Sequence, residues 1–168
     1  MTGLLGADEC PSEPNAVSEL LYLEDVFVGQ RFITASHLLT ADEIKAFARA
    51  YDPQPFHTDE QAAKDTFFKG LAASGWHTAA VSMRLQIDSG PKVAGGMIGA
   101  GGELSWPQAA RPGDEIRVES EVIEVKQSRS RPERGFVTLR SETKNQKNEV
   151  VQLFIVKLLI WRRPEYGF

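Results

Sequence analysis

With 168 residues, the chain is long enough for one compact domain with a sizeable core and short for two. Hydrophobic residues make up 42% and charged residues 25%, ordinary proportions for a soluble globular protein, and a formal net charge of -4 offers no basic field to nucleic acid. The longest apolar run, Leu153 to Trp161, is cut by Lys157 and falls short of a membrane span.

Cys10 is the one cysteine, which excludes an internal disulfide and a cysteine-based metal cluster and fits a reducing, cytoplasmic setting. Residues 1–21 read as an N-terminal tail, rich in Pro, Ser and Glu and without the basic start and apolar run of a signal peptide. A single domain is expected over residues 22–168. Glu24 to Gln30 reads as a turn and Arg31 to Leu38 as a short strand. Thr40 and Glu43 stand at capping-box spacing, and Ile44, Phe47, Ala48 and Tyr51 recur at i, i+3, i+4 and i+7, so a helix follows with one apolar stripe toward a core.

That helix must end at Asp52, because Pro53 disfavours helical backbone in the residue before it. Pro55 fixes a second φ angle, so the path from Asp52 to His57 has few conformers. A stiff loop holding a carboxylate and an imidazole is a candidate acid–base pair. Thr58 and Gln61 repeat the capping spacing and predict a short helix over Asp59 to Lys64, followed by irregular chain to Ala73. Ser74 then caps a third helix from Gly75 to about Asp88, stopped by Gly90 and Pro91. Trp76, Ala80, Met83 and Ile87 line one face of it, and Ala79, Val81 and Leu85 make other faces apolar, which predicts a buried helix.

Beyond Gly95 the period changes to two. Strands are predicted over Met97 to Trp106, Glu115 to Val125, Gly135 to Thr143 and Val150 to Trp161, with turns at Pro112 to Asp114, Arg131 to Gly135 and Asn145 to Asn148. One buried helix followed by long antiparallel strands is an α+β plan, a curved sheet wrapped round a central helix. The continuous apolar character of the last strand gives it a central place, one face under the helix and the other under a second subunit.

The stretches Tyr51-Asp52-Pro53-Gln54-Pro55-Phe56-His57-Thr58-Asp59, Ala73-Ser74-Gly75-Trp76-His77-Thr78 and Arg111-Pro112-Gly113-Asp114, in this order and spacing, resemble the MaoC-like dehydratase family, which includes the (R)-specific enoyl-CoA hydratases. The resemblance covers roughly Tyr22 to Trp161. It implies a hot-dog fold, a homodimer, and reversible addition of water to a 2-enoyl thioester, usually of coenzyme A, with no cofactor beyond the coenzyme A of the substrate. On the matched motifs it implies Asp52 and His57 as catalytic residues and the backbone N–H of Gly75 as the oxyanion donor. Two positions depart from the family pattern: Gln54, where the hydratases commonly carry Asn, and Ser74, where they carry His.

Adding water across a double bond conjugated to a thioester needs a group to take a proton from water, one to deliver a proton to the α-carbon, and a donor for the enolate oxygen. Asp52 can hold and deprotonate water, His57 can share it and relay the proton, and the Gly75 N–H, helped by the helix dipole, can meet the oxyanion. Gln54, Ser74, Phe56 and Trp76 are expected at the substrate. Gln54 reaches further than Asn and is expected to project toward the acyl chain rather than fold back locally. Phe56, Met83 and Trp106 suit either core or acyl-tunnel lining. Arg129, Arg131 and Arg134 crowd one turn, either as a solvated hairpin tip or as a clamp for the phosphates of coenzyme A.

His57, Asp59 and His77 make a weak match to metal-ligand spacing, and no metal is expected. His77 reads as a hydrogen-bonded core histidine. Two alternatives to a hydratase stand beside it. One is a hot-dog thioesterase, against which the first half of the central helix lacks Asp and Glu; the other is a non-catalytic acyl-thioester binding module.

Overall fold

A computed structural model of the chain describes residues 20–164; residues 1–19, most of the expected tail, and residues 165–168 lie outside the described residues. The chain joins the fold at Leu21, whose N–H donates to Lys92 O at 2.8 Å and whose carbonyl accepts from Ala94 N at 3.0 Å, so Leu21 belongs to the domain rather than to the tail. A 3-10 turn at Leu23–Asp25 then buries Leu23 against the sheet.

The predicted strand over Arg31 to Leu38 is broken in two, β1 (Arg31–Ile33) and β2 (His37–Leu38). The break falls at Thr34, which binds Val118 with both its backbone N–H and its hydroxyl, after which Ala35 N–H turns to Ser89 Oγ. Helix α1 (Ala41–Tyr51) starts as expected: Thr40 Oγ1 accepts from Glu43 N at 3.2 Å. Ile44 and Ala48 are buried, but Tyr51 is exposed and rests on Phe47, ring centroids 5.0 Å apart.

The short helix is displaced from its predicted place. Pro55 stands at the first helical position of α2 (Pro55–Thr58), where a missing N–H costs nothing. Thr58 donates back to Gln54 O instead of capping the next turn. Asp59 Oδ1 accepts from Gln61 N and Ala62 N, closing a turn ahead of the 3-10 turn at Ala62–Asp65.

Helix α3 (Gly75–Ser89) is the axis of the domain, and β3 (Ile98–Ser105), β4 (Glu115–Gln127), β5 (Arg134–Lys144) and β6 (Val150–Trp161) follow it. The sheet is antiparallel with the order β1-β4-β5-β6-β3, β2 adding to β4, and it curls round α3 in the hot-dog arrangement. Strand β6 is interior, between β5 and the edge strand β3, whereas the central place that its apolar run predicts is held by β5. Leu39, Ile44, Leu85, Ile116, Val118 and Val151 form the core beside α3, and a second cluster around Leu23, Val122, Val137 and Leu158 fills the other half of the concave face.

The face that α3 buries differs from expectation. Thr78, Ser82 and Leu85 point to the sheet, whereas Trp76 (63% exposed), Met83 (44%) and Ile87 (47%) stay open in the single chain. Small hydroxyl residues allow the helix to lie close, and each hydroxyl has a partner: Thr78 Oγ1 donates to Ser74 O, and Ser82 Oγ donates to Thr78 O and meets Thr143 Oγ1 at 2.7 Å.

Candidate active site

Three elements converge at the N-terminus of α3. Asp52 ends α1, with its N–H on Ala48 O and its backbone (φ -152°, ψ 67°) already out of the helical region, as Pro53 requires. His57 is carried by the single turn of α2 and is 5% exposed. Its Nδ1 lies 2.8 Å from the carbonyl of Ala72, and the Ala72 N–H returns to Phe56 O at 3.1 Å, so the ring is locked to the strand-like segment that leads into α3. Nδ1 therefore carries a proton, and Nε2 is left facing Asp52 Oδ2 at 3.4 Å.

Both oxygens of Asp52 accept hydrogen bonds. Ser74 Oγ donates to Oδ2 at 2.7 Å and Gln54 Nε2 to Oδ1 at 2.6 Å. Gln54 thus folds back onto the carboxylate, in contrast to the expectation that it would project toward an acyl chain; the short loop through Pro53 brings its amide directly over Asp52. Partial burial alone would raise the Asp52 carboxyl, but the bonds from Gln54 and Ser74, with His57 alongside, hold it below its usual value. Asp52 stays ionised.

Gly75, the first residue of α3, presents an N–H that donates to no group among the described residues. Glycine is required here by packing as well as by access: a Cβ at this position would lie 2.6 Å from Cε2 of Trp106. The indole is held by its own bond, Nε1 to Gln152 Oε1 at 3.0 Å. Trp76 sits edge-on to Trp106 and opens one end of a groove of about 400 Å³ that runs between α3 and β3, lined by Met83, Gly101, Leu104, Phe154 and Val156 among others. This groove, rather than core, is where Met83 and Trp76 lie.

Of the other residues singled out from sequence, Phe56 packs its ring edge-on against His57 at 4.5 Å, a wall of the site. Arg129 and Arg131 are exposed at the β4–β5 turn and Arg134 stacks on Trp161. In the β5–β6 register Arg134 faces Trp161, whereas Thr143 faces Gln152 near α3. That is a span of about 30 Å along the strand, so one chain does not bring the arginines to Asp52. Asp59 is occupied by its turn, and no cluster of three metal-ligating side chains occurs among the described residues. His77 is buried and stacks on Phe47 at 4.8 Å, but its Nδ1 has no partner among the described residues, contrary to the expected hydrogen-bonded core role. Burial, with His37 adding to it against the pull of Glu43, holds its pKa below the usual value.

A hot-dog sheet wrapped on a central helix, with a carboxylate and an imidazole brought together at the helix N-terminus, has the groups that acid–base chemistry needs. The model of the MaoC like domain matches residues 26–145. The chain belongs to the MaoC-like dehydratase family. It is 56% identical to the MaoC-like dehydratase from Rhodospirillum rubrum, with a TM-score of 0.84 over 86% of this chain and 99% of that one. The (R)-hydratase from A. caviae involved in PHA biosynthesis is 25% identical, with a TM-score of 0.65 over 83% of this chain and 99% of that one. The uncharacterized protein YdeM of Bacillus subtilis (strain 168) is 36% identical over 128 residues, 74% of this chain and 88% of YdeM.

Proposed function

We propose that the protein is a hydratase/dehydratase that reversibly adds water to a 2-enoyl-CoA thioester to give a 3-hydroxyacyl-CoA. The observation that carries this reading is the Asp52 Oδ2 to His57 Nε2 gap of 3.4 Å beside the uncommitted N–H of Gly75. A water hydrogen-bonded to both side chains from the substrate side gives one proton to Nε2, the nitrogen left without a hydrogen when Nδ1 holds the proton, as its hydroxyl adds to C3. Asp52, kept ionised by Gln54 and Ser74, orients the water and stabilises the positive charge that the ring gains with the proton. The thioester oxygen gains negative charge against the Gly75 N–H and the positive end of α3, and C2 takes the proton from Nε2. The dehydration direction retraces these steps.

The groove between α3 and β3 suits the acyl chain, because it is apolar and starts one residue from Gly75. Strand β3 has an unpaired edge beside exposed Trp76, Met83 and Ile98, a surface that a second copy of the chain would close edge to edge. Among the described residues no helix is long and apolar enough to cross a membrane, and a cytoplasmic acyl-CoA enzyme is consistent with this.

Incubation with a panel of 2-enoyl-CoA and 3-hydroxyacyl-CoA thioesters, following the conjugated chromophore, tests the reading. Its loss without thiol release supports hydration. Release of free thiol marks a thioesterase, and tight acyl-CoA binding without turnover marks a binding module.

A further inference from the structure

Arg111 opens the Arg111–Asp114 motif in the connection between β3 and β4, to which the sequence assigns a turn and no catalytic role, and it touches neither Asp52 nor His57. Its guanidinium nevertheless makes three bonds to one short stretch of backbone. Nη2 donates to Phe68 O at 2.6 Å, and Nη1 donates to Gly70 O at 2.9 Å and to Leu71 O at 3.2 Å. This stretch belongs to no sheet or helix, and it contains two residues in the left-handed region, Lys69 (φ 54°) and Gly70 (φ 152°), so its path is not fixed by regular structure. The next residue is Ala72, whose carbonyl receives His57 Nδ1–H. After it, Ala73 N donates to Ala110 O at 2.9 Å, and then α3 begins.

Arg111 is itself anchored. Its N–H donates to Oδ2 of buried Asp114 at 2.8 Å, and Asp114 Oδ1 accepts from Gln146. The guanidinium is thus a fixed fork bonded to three carbonyls that would otherwise be without partners beside the site. A lysine ammonium, a single point of charge, cannot reproduce this planar spread.

We propose that Arg111 is a positioning residue for catalysis: by fixing the backbone from Phe68 to Leu71 it places the Ala72 carbonyl that keeps the proton of His57 on Nδ1 and leaves Nε2 free to act on water. The effect on turnover rests on the hydratase reading; the effect on the imidazole does not. Without the fork, the Ala72 carbonyl shifts, the ring loses its preference between nitrogens, and part of the population presents Nε2–H to the water.

The test compares wild type with Arg111→Ala and Arg111→Lys by 15N NMR of the imidazoles without substrate, and by steady-state kinetics on an enoyl-CoA. The wild type should show a slowly exchanging His57 Nδ1–H and an unprotonated Nε2. Both variants should show tautomer mixing, with kcat down about 10²-fold in Arg111→Ala, KM changed less than about twofold, and partial recovery on adding guanidinium. If Arg111→Ala does not fold, Arg111→Lys decides alone. An unchanged His57 Nδ1–H signal in the folded variants overturns the proposal whatever activity does. A shifted signal in a protein that hydrates no enoyl thioester upholds it and overturns the reaction instead.

Discussion

Ser74 Oγ donates to Asp52 Oδ2 at 2.7 Å while it also accepts from the Trp76 N–H, so the residue that caps α3 holds the carboxylate that ends α1. The head of the helix and the acid are thereby one unit, and a change at either is felt by the other.

Ser74→Ala removes a donor to the ionised form of Asp52, so the Asp52 pKa should rise toward its usual value. A depressed folded pKa gives stability that is present above the unfolded value of 3.8 and lost as pH falls through the folded value. The variant should therefore be less stable at neutral pH, also losing about 1 kcal/mol from the cap, and approach the wild type in acid. A 13C titration of the Asp52 carboxyl and urea unfolding at several pH values measure both; an unmoved titration midpoint refutes the clamp.

Gln54→Leu deletes the second donor, at 2.6 Å, with little change in bulk. The expected result is a fall in kcat of about tenfold, the size of one bond to a charged group, with the order of preference among acyl chains unchanged. A reordered substrate panel would return Gln54 to the acyl-recognising role that its length first suggests.

Asp52→Asn and His57→Ala should each lower turnover by about 10²–10⁴-fold with the fold intact. Because both groups handle one water, the double variant should lose far less than the product of the two effects. Near-normal rates in either single variant remove the pair from the mechanism.

Gly75→Ala drives a methyl into the Trp106 indole and, if the ring yields, breaks its bond to Gln152, which is 3% exposed. Leaving that buried amide unpaired costs about 1–3 kcal/mol, seen as a lower melting temperature. Pairing Gly75→Ala with Trp106→Leu should relieve the crowding without restoring full activity. Full stability in Gly75→Ala alone would show that the indole moves freely.

The open edge of β3 and the exposed face of α3 predict a homodimer in solution. Light scattering at micromolar concentration should give twice the chain mass; a monomer there leaves Trp76, Met83 and Ile98 without the cover assigned to them.

Strands β3 to β6, α1 and α3 were legible because period or caps mark them: Thr40 and Ser74 both cap as the sequence predicts. The face of α3 was not, since the rule that apolar residues turn inward assumes that the chain covers its own core, and here Thr78 and Ser82 do so while Trp76 and Met83 line a groove. The short helix was misplaced because Pro55 can start a turn as well as stiffen a loop. Asp52 and His57 could be paired from a stiff, short connection. Arg111 and Trp106 could not, for their partners, Phe68 to Leu71 and Gln152, lie some 40 or more residues away in sequence.

The pair, its two clamping donors and the Gly75 N–H all come from residues 52–75, whereas the guanidinium that binds the backbone just before Ala72 comes from the far side of β3. Such a unit can be inherited or exchanged as one continuous piece. Transplanted into another hot-dog scaffold, it should work only where the host's β3–β4 connection offers an arginine at the matching place, so that compatibility of recombined relatives is read at a position outside the piece that is moved.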